Sequence, residues 1–165
     1  MPSALCLVPN MKCLIVTLSD RAARGEYEDL SGPEIEKLLL GKFQSLEIER
    51  ALIGDEPEAL KAQVQRTNEF DVIITTGGTG IGPRDITPDV VNPMLDKELP
   101  GIMEFIRTKH GERLPSALLS RSVAGVIDTT LIYTLPGSVK AVCEYMEEIM
   151  RSMEHALNML QGEGH

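Results

Sequence analysis

The sequence predicts an α/β fold, a three-layer sandwich whose mostly parallel central sheet carries helices on both faces. Three observations predict it. Short apolar runs alternate with helical patterns along the chain. The runs at residues 14–18, 72–74 and 131–135 are dense in strand formers and read as strands covered on both faces. The C-terminal stretch repeats Val139, Val142, Met146, Ile149, Met153, Ala156 and Leu160 at spacings of three and four, one continuous apolar helix face.

The elements follow in order. A flexible extension is expected over residues 1–11, and a single domain over residues 12–162. Leu14-Ile15-Val16-Thr17-Leu18 is the first strand, followed by a loop from Ser19 to Leu30. Ser31 and Glu34 have capping-box spacing ahead of Ile35, Leu38 and Leu39. Leu46, Ile48 and Leu52 alternate with Glu47 and Glu49, which predicts a strand with one exposed face. Asp55 and Glu58 repeat the capping spacing, and a helix is expected to about Asn68. Val72-Ile73-Ile74 is the next strand, and a glycine-rich loop follows it. Thr87 and Pro88 look like an N-cap and an N1 proline. Helix is expected over residues 101–109 and, briefly, over 116–121. Leu131-Ile132-Tyr133-Thr134-Leu135 is a late strand that ends at Pro136-Gly137, and the last helix starts near Ser138. Its methionines are read as core packing.

Composition narrows the function. The 165 residues suit one domain. A net charge of -9 without a long basic run disfavours a protein that tracks nucleic-acid backbone. An acidic chain binds an anionic ligand through backbone N–H groups, placed cations or a metal ion. Cys6, Cys13 and Cys143 lack paired ligand spacing and read as reduced thiols of a cytoplasmic protein, with Cys13 and Cys143 expected in the core. His110, His155 and His165 form no cluster. No apolar run reaches membrane-spanning length, and residues 1–10 lack the basic start of a signal peptide.

Four polar or glycine-rich loops each follow a predicted strand: Ser19-Asp20-Arg21, Gly54-Asp55-Glu56, residues 77–85 and Pro136-Gly137-Ser138. Parallel strands gather such loops along the carboxyl edge of the sheet, where open α/β sheets bind ligands. The segment Thr76-Gly77-Gly78-Thr79-Gly80-Ile81-Gly82-Pro83-Arg84-Asp85-Ile86-Thr87-Pro88-Asp89 carries the most information. Four glycines in six residues let backbone N–H groups approach phosphate oxygens. It is no P-loop, since no Gly-Lys-Ser/Thr follows, and it lacks the dinucleotide glycine spacing. A plain glycine-rich turn between strand and helix is the competing reading.

The motif Thr76-Gly77-Gly78-Thr79-Gly80, Arg84-Asp85, Thr87-Pro88-Asp89 resembles the signature of the molybdenum-cofactor biosynthesis domain family. Ser19-Asp20-Arg21 with Gly25, Asp29 and Ser31-Gly32-Pro33 resembles the first loop of its adenylyltransferase branch. Gly54-Asp55-Glu56 and Leu135-Pro136-Gly137-Ser138 resemble two more of its loops, so the likeness runs from about Cys13 to about Leu160. The resemblance implies the three-layer fold, a homotrimer, and transfer of AMP from Mg²⁺-ATP to the terminal phosphate of molybdopterin. A hand-over of the product to a molybdenum-insertion protein would follow.

By the same resemblance Asp55 and Asp85 are the catalytic pair and candidate Mg²⁺ ligands. Ser19, Asp20, Gly77, Gly78, Thr79, Gly80, Arg84, Asp89, Pro136, Gly137 and Ser138 are candidate substrate contacts. Simpler roles stand beside these. Asp55 has the spacing of a helix cap, Asp85 that of a turn aspartate, and Asp89 sits where any helix favours a carboxylate. Asp20 serves equally to order its loop, and Arg84 and Arg21 either meet phosphate or stay solvated. Carboxylates suit adenylyl transfer because both reactants are anions, and Mg²⁺ held by carboxylates and phosphates reduces their repulsion. A phosphate monoester, with a second pKa of about 6, needs no general base. Three rivals compete: a relative that binds molybdopterin without adenylylating it, a non-enzymatic oligomerising domain, and an unrelated nucleotide-binding protein. Neutral residues at positions 55 and 85 would mark the second, and a recognisable phosphate motif the third.

Overall fold

The computed structural model describes residues 10–162. Its central sheet has six strands in the order β2-β1-β3-β6-β5-β4. These are β1 (Met11–Leu18), β2 (Leu46–Ile53), β3 (Val72–Thr76), β4 (Lys97–Glu98), β5 (Ala124–Ile127) and β6 (Thr130–Leu135). β2, β1, β3 and β6 run parallel, whereas β5 and β4 are antiparallel additions at one edge. The helices are α1 (Asp20–Ala23), α2 (Ser31–Lys42), α3 (Pro57–Val64), α4 (Thr87–Val91), α5 (Pro100–Gly111) and α6 (Val139–Leu160).

The pleat explains the three layers. Successive side chains of a strand point to opposite faces. Cys13 and Ile15 join Ile35, Leu39, Met146 and Met153 in one buried cluster under α2 and α6. Leu14, Val16 and Leu18 join Leu60, Val64 and Val91 in a second, under α3 and α4. Every residue of β3 and β6 is buried, as the near-continuous apolar runs require. Along α6, Val142, Met146, Ile149 and Met153 are fully buried, so Met146 and Met153 of the apolar stripe are core, whereas Met159 is exposed.

Several local expectations change. The sheet is mixed because β5 forms a hairpin with β6 through Asp128, whose φ of +53° makes the tight turn. The short Ala124–Ile127 run carries too little pattern to stand out in the sequence. Strand β1 already includes Met11, which is buried; the rest of the expected extension, except Asn10, lies outside the described residues. In β2 the alternation breaks at Glu49 and Arg50, both exposed, and Leu52 faces outward. Ser31 lies inside α2 instead of capping it, and Asp29 does that work by accepting from the Gly32 N–H at 3.0 Å. Thr87 likewise starts α4 and donates its hydroxyl to the Gly77 carbonyl at 2.8 Å. Cys13 is buried as expected, but Cys143 is exposed, its thiol 3.7 Å from Glu34 Oε1 of α2.

Candidate active site

The four parallel strands deliver their loops to one edge, as the sequence order of strand and loop requires. A cavity of about 660 Å³ opens there. Its floor is made by Ser19, Asp55, the glycine loop with Arg84 and Asp85, and the Pro136-Gly137-Ser138 turn.

Two glycines are dictated by geometry. Gly77 has φ +104°, and a Cβ there would lie 2.3 Å from the Leu18 carbonyl oxygen. Gly78 has φ +68°, and its Cβ would meet the Thr87 hydroxyl at 2.6 Å. A side chain at Gly77 would have to move backbone, and one at Gly78 would sit in a strained conformation and displace the Thr87 hydroxyl. The Gly77 N–H donates to the Leu135 carbonyl at 2.9 Å, and the Thr76 hydroxyl donates to Pro136 O at 2.8 Å. These bonds dock the glycine loop on the Pro-Gly turn. Ser138 caps α6 by accepting from the Ala141 N–H at 3.2 Å, so the amino end of a 22-residue helix meets the cavity.

Asp20 and Asp55 hold each other. The Asp20 N–H donates to Asp55 Oδ2 at 3.1 Å, and the Asp55 N–H donates to Asp20 Oδ1 at 2.8 Å. Arg84 then donates from Nε and Nη2 to Asp20 Oδ2 at 3.1 and 2.7 Å, and from Nη2 to Glu56 Oε1 at 3.3 Å. The Asp55 N–H and the Arg84 guanidinium hold the Asp20 carboxyl below the usual aspartate range. Burial pushes the Asp55 carboxyl up, and the negative charges of Asp20 and Asp85 add to the rise. Asp55 caps no helix: the residue before α3 is Glu56, whose side chain makes no capping bond to the helix. Asp85 is both a turn aspartate and a cavity residue. Its Oδ2 accepts from the Gly82 N–H at 2.8 Å, and the side chain lines the cavity.

Asp20, Asp89 and Arg21 fall outside the cavity wall. Asp20 orders Asp55 and Arg84. Asp89 forms a two-pronged pair with Arg121 at 2.9 and 3.0 Å. Arg21 stacks over the Tyr27 ring, 5.3 Å from its centre. Arg121 itself was not legible in the sequence. Its Nε donates to Gly80 O and its Nη2 to Asp85 O, both at 2.8 Å, while its own N–H donates to Thr79 O at 2.8 Å. One arginine thus clamps the whole glycine loop from behind. It lies 36 residues after Asp85 with no motif to link them, so only the tertiary structure reveals it. Also missed was the second wall, from α5, the 3-10 turn Pro115–Leu119 and the start of α6. It presents Arg107, His110, Glu144 and Tyr145 beside Leu114 and Leu119. A faint signal existed for Glu144, which stands six residues after Ser138 on the helix face that Ala141 shares.

Comparison with known proteins agrees with this architecture. Residues 14–155 match the family model described as "Probable molybdopterin binding domain". A protein of Helicobacter pylori (strain J99) named molybdopterin adenylyltransferase is 35% identical over 152 residues, covering 90% of this chain and 86% of its own. One of the same name from Haemophilus influenzae is 35% identical over 146 residues, covering 84% and 73%. The crystal structure of the molybdopterin biosynthesis enzyme MoaB from Thermus thermophilus is similar with a TM-score of 0.83 at 38% identity, over 92% of this chain and 97% of that one. With its four loops docked at one sheet edge and its match spanning nearly the whole domain, the chain belongs to the molybdopterin-binding family of molybdenum-cofactor biosynthesis.

Proposed function

We propose that the protein is a molybdopterin adenylyltransferase, moving AMP from Mg²⁺-ATP to the terminal phosphate of molybdopterin. The observation that carries this reading is the cavity floor, where Asp55, Asp85 and the glycine loop face one space. The names of its relatives point the same way.

The donor set fits a hard divalent cation. Asp55 and Asp85 each commit Oδ2 to a backbone N–H and leave Oδ1 without a hydrogen bond among the described residues. Burial, with the charges of Asp20 and Asp85 behind it, raises the Asp55 carboxyl, and a cation beside it would favour the ionised form. No cluster of three or more His, Cys, Asp or Glu side chains suited to a metal occurs among the described residues. Mg²⁺ would therefore share its remaining positions with phosphate and water, its usual habit. Bound there, it would screen the two anions and stabilise charge on departing pyrophosphate.

The chain's own groups do the rest. Backbone N–H groups of the glycine loop and the amino end of α6 favour phosphate oxygens. A molybdopterin phosphate oxygen bonds to the α-phosphorus of ATP as the bond to the bridging oxygen breaks, and that electron pair leaves with pyrophosphate. The nucleophile is already ionised, so no base is required. Catalysis comes from positioning and electrostatics. This reading brings with it a homotrimer, supported by exposed Leu40, Phe105, Leu118 and Met159, a cytoplasmic site of action, and hand-over to a molybdenum-insertion protein. No described helix is long and apolar enough to cross a membrane.

Incubation with molybdopterin, ATP and Mg²⁺, with mass detection, tests the proposal. Adenylylated molybdopterin and pyrophosphate are expected, and unchanged molybdopterin beside intact ATP overturns it.

A further inference from the structure

Of the polar groups on the wall formed by α5, the 3-10 turn and α6, Arg107 and Tyr145 are held by Ser120 and Ser122, whereas Glu144 and His110 Nε2 are left uncommitted. Glu144 lines the cavity near the amino end of α6, with its side chain 30% exposed. It makes no hydrogen bond among the described residues. Its one basic neighbour there within 4 Å is His110, whose Nδ1 is 3.7 Å from Glu144 Oε2. That is too long for a hydrogen bond, so both carboxylate oxygens stay available. His110 Nε2 is buried and also lacks a partner. Leu114, Leu119, Ala117 and Ala141 surround this corner with apolar surface. Both Glu144 oxygens thus face the cavity without a protein donor among the described residues, free to accept from a ligand that presents two N–H groups.

We propose that this wall holds the ring of the pterin substrate and that Glu144 reads its edge, an inference that rests on the adenylyltransferase reading. A 2-amino-4-oxo ring presents an exocyclic NH₂ beside a ring N–H, two donors pointing the same way. An ionised carboxylate accepts two such parallel bonds, the same fork it offers to arginine. The adenine edge pairs an NH₂ donor with a bare ring nitrogen. That nitrogen is an acceptor, and it faces a carboxylate oxygen with like polarity. Glu144 therefore favours the pterin and disfavours the nucleotide base. One cavity spans this wall and the glycine loop, so a molecule with its ring on α6 carries its phosphate toward Asp55 and Asp85.

The test titrates wild type and Glu144→Gln separately with molybdopterin and with Mg²⁺-ATP by calorimetry, beside thermal melts. Glu144→Gln keeps the shape but turns one acceptor into a donor. It should bind molybdopterin at least roughly 10-fold more weakly, with ATP affinity within about two-fold and an unchanged melting temperature. Simple pterin and its 2,4-dioxo analogue serve as competitors. Wild type should prefer pterin, and Glu144→Gln should lose that preference. Weakened ATP binding with normal molybdopterin binding overturns the inference, because the wall then holds adenine. Equal loss of both ligands with a lowered melt also overturns it, showing a structural role. If wild type forms product and Glu144→Gln binds molybdopterin normally, the inference falls and the adenylyltransferase reading stands. A wild type that binds no molybdopterin removes both.

Discussion

The two walls of the cavity differ in how many of their polar groups the protein itself satisfies. On the glycine-loop wall the charged groups are held from within. Asp20 and Asp55 trade backbone bonds, Arg84 lies between Asp20 and Glu56, and Arg121 grips three loop carbonyls while pairing with Asp89. On the α5–α6 wall Arg107 and Tyr145 are held by Ser120 and Ser122, but Glu144 and His110 Nε2 have no hydrogen-bond partner among the described residues, and Leu114 and Leu119 are half exposed. A wall fixed in advance suits bond making, where a displacement of about 1 Å costs on the order of 10²-fold in rate. A wall with unspent donors and acceptors suits recognition, since only a matching ligand completes it.

Substitutions can break this contrast. The largest effect is expected at Asp85. Asp85→Asn should lower turnover by at least roughly 10²-fold, about 2.7 kcal/mol of barrier, in a protein with a native circular-dichroism spectrum. Near wild-type turnover would remove Asp85 from the chemistry. Asp55→Ala should cost turnover about as much while molybdopterin affinity stays within a few-fold of wild type. A destabilised but active Asp55→Ala protein would mean that its bond to the Asp20 N–H is its whole role.

Arg121→Ala sharpens the contrast, because Arg121 touches the loop but not the cavity. It should lower kcat by roughly 10-fold with little change in ATP affinity, as expected for a loop that still binds but no longer holds its shape. Steady-state kinetics would count against the clamp if KM rose alone. The smallest effect is expected for Asp89→Asn. Its carboxylate is largely exposed, and such a surface pair is worth about 0–1 kcal/mol, so activity should stay within about two-fold. A loss as large as that of Asp85→Asn would return Asp89 to the cavity.

Much of this was legible in sequence, for identifiable reasons. The strands β1, β3 and β6 are apolar on both faces, so their runs stood out, and the order of strand and loop placed Asp55, Asp85, Gly77 and Ser138 at one edge. The helix caps were less legible. Ser31 and Thr87 have the right identity for a cap, yet Asp29 and the Gly77 carbonyl outcompete those roles through contacts that the local spacing does not reveal. β5 is short and half of it is Ala-Gly, so its pairing with β6 left little trace. The second wall was silent because a glutamate or histidine on an amphipathic helix looks like any solvated residue until the opposite helix is in place.

The Arg121 clamp also bears on how the protein is made. The glycine loop leaves the ribosome well before the arginine that shapes it, and β3 cannot pair with β6 until residues 131–135 follow. A chain is synthesised from its amino end, and contacts of long sequence separation form late. During translation, then, residues 77–85 emerge without their carbonyl partner, and Asp85 has no fixed place beside Asp55. A nascent chain halted before residue 121 would hold β1 and β2 paired yet carry no working floor. The active site is among the last parts of this molecule to exist.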